Sequence, residues 1–221
     1  ILVFGLITMF LGAFLALFSI DIKKTLAYSS VSQIGFILVG LAMEGILGEH
    51  NALAIRGALL HMVNHSLIKL VLFMVAGVVY MNLHELNLNK VRGFGKGKPL
   101  LLFIFAMGAL SLAGVPLWSG YISKTLLHES IVEHIWEFTS YSMEARFFQF
   151  AEGLFMLTGG LTAAYLLKLF VAIFLEDNIE TQDKNDSFNK NYMSKLSTFG
   201  LIVPAIILFI LGSFPNIMDR I

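Results

Sequence analysis

Six long apolar stretches separated by short polar ones set the pattern of this chain. The first runs from Ile1 to Ile20 without a charge, the second from about Thr25 to Met43, and the third from about Ala52 to Met81. The fourth, Pro99 to about Ile131, is too long for one simple crossing and is interrupted by GVPLWSG. The fifth covers about Phe147 to Leu175 and the sixth about Leu196 to Phe214. Each is near the roughly 20 residues that a helix needs to cross the hydrocarbon core. Between them lie DIKK, EGILGEHN, NLNKVRGFGKGKP and EDNIETQDKNDSFNKN, segments of turn and charge signals. The pattern predicts an all-α integral membrane protein of about six transmembrane helices, the fourth discontinuous, forming a single transmembrane domain over residues 1–221.

Charge gives the pattern a direction. Six crossings place alternate loops on one side, and the first, third and fifth carry Lys23, Lys24, Lys90, Arg92, Lys96, Lys98, Lys184, Lys190 and Lys195. The other side has Arg56, Arg146 and Arg220 beside Glu129, Glu133, Glu137 and Glu144. The positive-inside rule therefore predicts that the basic loops are cytoplasmic. The residues are 57% hydrophobic, with twenty Phe, ten Met and no Cys, which fits a lipid-solvated helical protein. Without cysteine the chain forms no disulfide and ligates no Fe–S cluster, so any redox centre belongs to a partner. A net charge of zero gives no sign of nucleic-acid binding. The chain opens on Ile1 inside an apolar run, without a basic leader, and is expected to be a piece of a longer polypeptide.

The chemistry lies where ionisable groups enter the spans. Lys69 sits within LLHMVNHSLIKLVLFMVAGVV, with His65 and His61 four and eight residues before it. This spacing puts all three on one helical stripe, about a turn apart. A charge at bilayer depth costs several kcal/mol on insertion scales (about 2.5–3.5), so such groups mark ion pathways more often than packing. The competing reading is structural, with imidazoles bonded to carbonyls and the lysine paired. A zinc or haem site is disfavoured, since Met62 follows His61 where an HExxH hydrolase has its glutamate, and no carboxylate or thiolate ligand lies near.

Gly114, Pro116 and Gly120 punctuate the fourth span, and Lys124 follows within YISKTLLHE. Proline removes a donor and breaks the helix, and unwound backbone at membrane depth survives only under protein or beside a watery cavity. Discontinuous helices recur at transporter ion sites because their ends present oriented dipoles. The alternative is a proline kink with a snorkelling lysine. His128 and Glu129 follow Lys124 by one turn and are candidates for an exit. Lys168, about two turns from the inner end of the fifth span, reads as an interfacial anchor ahead of a relay member. Lys23 alone would read as a positive-inside anchor.

Three ordered segments, DIKKTLAYSSVSQIGF, LLHMVNHSLIKLVLFMVAG and LSLAGVPLWSGYISK, resemble the antiporter-like subunit family. That family comprises proton-pumping subunits of respiratory complex I, large subunits of Mrp-type cation/proton antiporters and membrane subunits of energy-converting hydrogenases. The resemblance implies that the first five spans form the second of two inverted five-helix repeats, and that the sixth is the closing helix. The first repeat is absent from these residues and would come from another chain or segment. By the same resemblance, Lys69, His65 and His61 match the central His-His-Lys helix, Lys124 the key lysine of the broken helix, and Lys23 the lysine of the DIK motif at proton entry. Lys168 aligns with a basic family position. Thr125 follows Lys124 where the most distal complex I subunit has an acid.

The expectation is a proton path from the cytoplasmic side past Lys23 to Lys69, through histidine and bound water to Lys124, and out near His128. The chain would be a non-catalytic subunit of a redox-driven pump in a bacterial cytoplasmic-type membrane. Its partners would be further membrane subunits and the lipid bilayer, with no nucleic acid. Fe–S clusters, with flavin or nickel–iron centres as further candidates, would sit in those partners and none on this chain. The alternatives are an Mrp-type sodium/proton antiporter subunit and a structural membrane anchor whose channel is unused.

Overall fold

In a computed structural model, the chain is described at residues 1–48, 51–137, 143–177 and 192–214. Lys184, Lys190, Arg220 and most of the loop before the last span lie outside these. The elements are α1 (Leu2–Phe18), α2 (Ile22–Leu47), α3 (Ala52–Leu83), a single turn α4 (Leu88–Val91), α5 (Pro99–Ala113), α6 (Ser119–Glu137), α7 (Met143–Phe170) and α8 (Lys195–Ser213). A π-helical turn, Val171–Leu175, extends α7. Four of these, α2, α3, α8 and α7 with its π turn, are long and apolar enough to cross a membrane. The first helix has 17 residues and α5 has 15. The predicted fourth span is thus two helices, α5 and α6, with the break between them.

Glycine sets how closely the helices approach. A Cβ on Gly35 of α2 would stand 2.3 Å from the Met9 backbone nitrogen of α1, and one on Gly12 of α1 2.4 Å from that of Ser32. Small residues at such crossings gain van der Waals contact, the attraction that lipid does not already supply. The third helix is central, packing against α2, α5, α6 and α8.

Two apolar clusters stack along the bundle. One joins Ile22, Leu26, Ile68, Leu72, Leu112, Tyr165 and Leu169; the other joins Met9, Phe36, Ala58, Leu127, Ile131 and Phe155. On α2, α3 and α7 a set of fully buried polar residues falls between the positions given to the two clusters. These are Ser29, Ser32 and Gln33 on α2, His61 and Asn64 on α3, and Thr158 and Thr162 on α7, with Ser123 of α6 bonded to His61. The bundle therefore has a polar layer at mid-depth, running sideways from helix to helix.

The first, third and fifth loops meet at one end. Asp21 bridges Asn87, with Ile22 N–H donating to the Leu86 carbonyl and Leu88 N–H to that of Ile20. Arg92 pairs with Glu176 at 2.9 Å, and Lys96 pairs with Asp177. The π turn leaves carbonyls for the third loop: Gly93 N–H donates to Ala172 and Gly95 N–H to Ile173. The basic loops share a face, as alternate loops of a spanning bundle must.

Candidate functional site

The break begins where α5 ends on Gly114, in the left-handed region at φ 80°, with its N–H on the Leu110 and Ser111 carbonyls. Val115 N–H returns to Leu110 O, the pattern that closes a helix C-terminus. Leu117 also has positive φ, 78°, a costly conformation for a residue other than glycine. Gly120 has a different role from the one expected. It lies inside the first turn of α6, where a Cβ would stand 1.9 Å from the Ser111 carbonyl oxygen. Its absent side chain brings the two half-helices together. Ser111 and Ser119 hydroxyls then bond at 2.8 Å, and Gly120 N–H donates to Ser111 Oγ. A glycine on α8, Gly212, makes room for the Trp118 backbone.

Lys124 is buried, and its Nζ donates to the Leu112 carbonyl at 2.7 Å. That carbonyl belongs to the last turn of α5, where oxygens lack intrahelical partners and the helix dipole is negative. The ammonium also stands 5.0 Å from the Phe36 ring centre, and that ring neighbours His61 and Phe155. The half-helix end thus meets a buried lysine nitrogen through one direct hydrogen bond.

Lys69 is buried on α3, and its Nζ donates to the Leu26 carbonyl at 2.9 Å and to Ser29 Oγ. Ser29 and Ser30 hydroxyls donate to the same carbonyl, so Lys69 shares that acceptor with two hydroxyls. Lys69 also lines a groove of about 620 Å³ with Ser66, Phe73, Gly77, Ser197 and Leu201. A second groove of about 410 Å³ shares Phe73 and Gly77 and reaches the exposed Lys23 beside Tyr80 and Leu86. Lys23 and Lys69 thus line neighbouring grooves that share two residues of α3.

His61 has a partner on each ring nitrogen: Ser123 Oγ at 3.0 Å from Nδ1 and Gln33 Oε1 at 3.1 Å from Nε2. Ser123 also donates to the Gly120 carbonyl and accepts from Asn64 Nδ2, which is itself held by the Ser119 carbonyl. With neutral His61, Nε2–H donates to Gln33 and the Ser123 hydroxyl donates to Nδ1. With protonated His61, Nδ1–H donates to Ser123, whose hydroxyl turns to Gly120. Both protonation states are hydrogen-bonded, and one hydroxyl rotation separates them. His65 stacks on His61 at 6.5 Å, is partly exposed, and lies within electrostatic reach of both Lys69 and Lys124.

Other candidates separate from this group. His128 bonds Glu152 at 3.2 Å, across to α7, and its ring neighbours Phe155. Glu129 is exposed and points away from that pair's position on the helix. Lys168 donates to three carbonyls at the end of α1: Ala16 at 3.0 Å, Leu17 at 2.6 Å and Ser19 at 2.6 Å. All three of its protons are used to cap a helix. The residues that sequence reasoning missed are uncharged: Ser29, Gln33, Asn64, Ser111, Ser119, Ser123 and Tyr165. The signal available for two of them was an amide, Gln33 or Asn64, inside an apolar span, where such groups bond between helices.

The comparisons agree with the fold and the motifs. Residues 1–148 match the model of the family "NADH:quinone oxidoreductase/Mrp antiporter, TM", and the chain belongs to that family. It is 32% identical to the chloroplastic NAD(P)H-quinone oxidoreductase subunit 5 of Chara vulgaris, an alignment covering 95% of this chain and 30% of that one. In fold it is similar to a chain of an archaeal membrane-bound sulfane sulfur reductase (TM-score 0.75, 24% identity, covering 94% of this chain and 31% of that one). It is also similar to a chain of the Mrp complex from Dietzia sp. (TM-score 0.72, 21% identity, 99% and 44%). The chain spans about a third of the length of the algal subunit.

Proposed function

We propose that this chain carries half of a proton path, as a membrane subunit of a redox-driven pump. The observation that carries the reading is the mid-depth layer that sets His61, between Gln33 and Ser123, among two buried lysines. A proton enters along the α3 groove past Lys23 and is held on Lys69. It moves sideways through the hydroxyl, amide and imidazole groups to the broken helix, where Lys124 takes it. Release follows near His128 and Glu152. A lysine with one or two hydrogen bonds in apolar surroundings changes protonation with modest changes in nearby charge or hydration. Movement in an adjacent subunit can therefore drive release.

In this reading the basic loops face the cytoplasm of a bacterial-type membrane, and another chain or segment supplies the first repeat. The chain performs no redox chemistry; Fe–S clusters, with flavin or nickel–iron centres, lie in partner subunits. The test is proton uptake by vesicles holding the assembled complex, with Lys69→Ala and Lys124→Ala compared at equal complex content. Loss of uptake in both variants is expected. Normal pumping in both would sink the proposal, and loss of assembly in both would favour a structural anchor. Similarity in fold to the Mrp chain supports a second reading, sodium/proton exchange. That reading requires sodium-dependent proton flux without an electron donor.

A further inference from the structure

Among the described residues of the mid-depth layer, three buried polar atoms have no hydrogen-bond partner, Asn64 Oδ1, Gln33 Nε2 and Tyr165 Oη, and the last two belong to neighbouring side chains. Tyr165 is wholly buried on α7, and its hydroxyl lies close enough to Ser29, Gln33 and Thr162 for each to act on it, with none in full hydrogen-bond geometry. Ser29 and Thr162 have already committed their protons to the Leu26 and Thr158 carbonyls, so toward Tyr165 they offer only lone pairs. Gln33 turns its carbonyl oxygen to His61 and is left with its amide hydrogens. The groups around this point are therefore one hydroxyl, one amide donor and two acceptors, drawn from α2 and α7.

Buried polar atoms are almost always satisfied, and internal waters bind where about three such groups converge. We propose that Tyr165 and Gln33 bind a structural water, with Ser29 as its third partner, and that Tyr165 is a positioning residue of the proton path. The water accepts from Gln33 Nε2 and donates to Ser29 Oγ, and Tyr165 anchors it through Oη. Two consequences follow from its place. It holds the Gln33 amide with Oε1 toward His61 Nε2, and so sets which ring nitrogen meets Ser123. It also links the group that bonds Lys69, Ser29, to the group that bonds His61, Gln33, which lie one turn apart on α2 without a hydrogen bond between them. The transport consequence rests on the proposed function; the water site does not.

The experiment combines a high-resolution cryo-EM map of the intact complex with proton flux in liposomes, for the wild type, Tyr165→Phe and Lys69→Ala. The phenyl ring keeps the packing of Tyr165 in its apolar cluster and removes only the hydroxyl. The expected result is a water peak within hydrogen-bond distance of Tyr165 Oη and Gln33 Nε2, absent in Tyr165→Phe. Flux per assembled complex should fall about tenfold, the factor that one lost hydrogen bond supplies. A wild-type map that resolves other buried waters but none here overturns the inference, whether or not the variant assembles. So does undiminished flux in Tyr165→Phe where Lys69→Ala has none. If Lys69→Ala pumps normally, the transport reading fails, and the water peak alone judges the site.

Discussion

Lys168 and Lys124 are two lysines within spans, each bonded to carbonyls at the end of a helix, yet their situations differ. Lys168 gives its three protons to the carbonyls of Ala16, Leu17 and Ser19 and closes the α1 terminus. Lys124 gives one to Leu112 and otherwise faces an aromatic ring. A saturated ammonium loses three charge-assisted bonds on deprotonation, so these carbonyls favour its charged form. An ammonium with one bond loses little by giving up its proton. The number of acceptors around the cation, more than its depth, separates a helix cap from a candidate relay member.

The largest expected effect is at the unsaturated lysine. Lys124→Ala should lower proton flux at least a hundredfold while the complex assembles, measured in vesicles at matched complex content; a relay member contributes on that order. Gly120→Ala tests the same region without touching a charge. Its Cβ cannot share space with the Ser111 carbonyl, so the half-helices must separate at a cost of roughly 1–3 kcal/mol. Flux should fall about tenfold or more, and a wild-type rate would show that their apposition is unimportant.

Lys168→Met should behave in the opposite way. It removes the cap of α1 and should destabilise the complex by roughly 2 kcal/mol, seen as earlier melting in detergent, with unchanged flux per complex. Equal melting with lost flux would move Lys168 into the path and break the comparison.

The smallest effect belongs to the loop end, where Glu85 accepts from Lys90 at 2.8 Å and from the Leu86 and Asn87 amides. The Lys90 bond, followed by the backbone amides, holds its carboxyl below the usual range. A depressed carboxylate stabilises the fold above its unfolded pKa, and this is lost as pH falls through the folded value. Glu85→Gln should therefore lower the melting temperature at neutral pH by about one degree or less, because the pair is exposed. The difference should vanish on acidification below the carboxylate range; a difference that grows in acid would contradict the assignment.

Much of this molecule was legible in its order of residues. The spans, the break after Gly114 and the stripe of His61, His65 and Lys69 follow from transfer free energy and helical spacing, both local properties. The pairing of basic loops followed from parity of crossings, and the structure brings the described parts of those loops together. The expected use of Gly120 as a breaker gave way to close approach, because only the folded chain places Ser111 against it. That His128 bonds Glu152 of α7 while Glu129 is exposed was not legible from spacing along α6 alone.

By itself, then, the sequence determined that this is a membrane bundle with charges at depth, since burial of an apolar helix depends only on its own residues. Tertiary structure decided what each buried lysine bonds. Hydrogen-bond partners such as Leu26 for Lys69, Leu112 for Lys124 and three α1 carbonyls for Lys168 lie on neighbouring helices or across the break. No spacing along one helix encodes which surface a second helix will turn toward it.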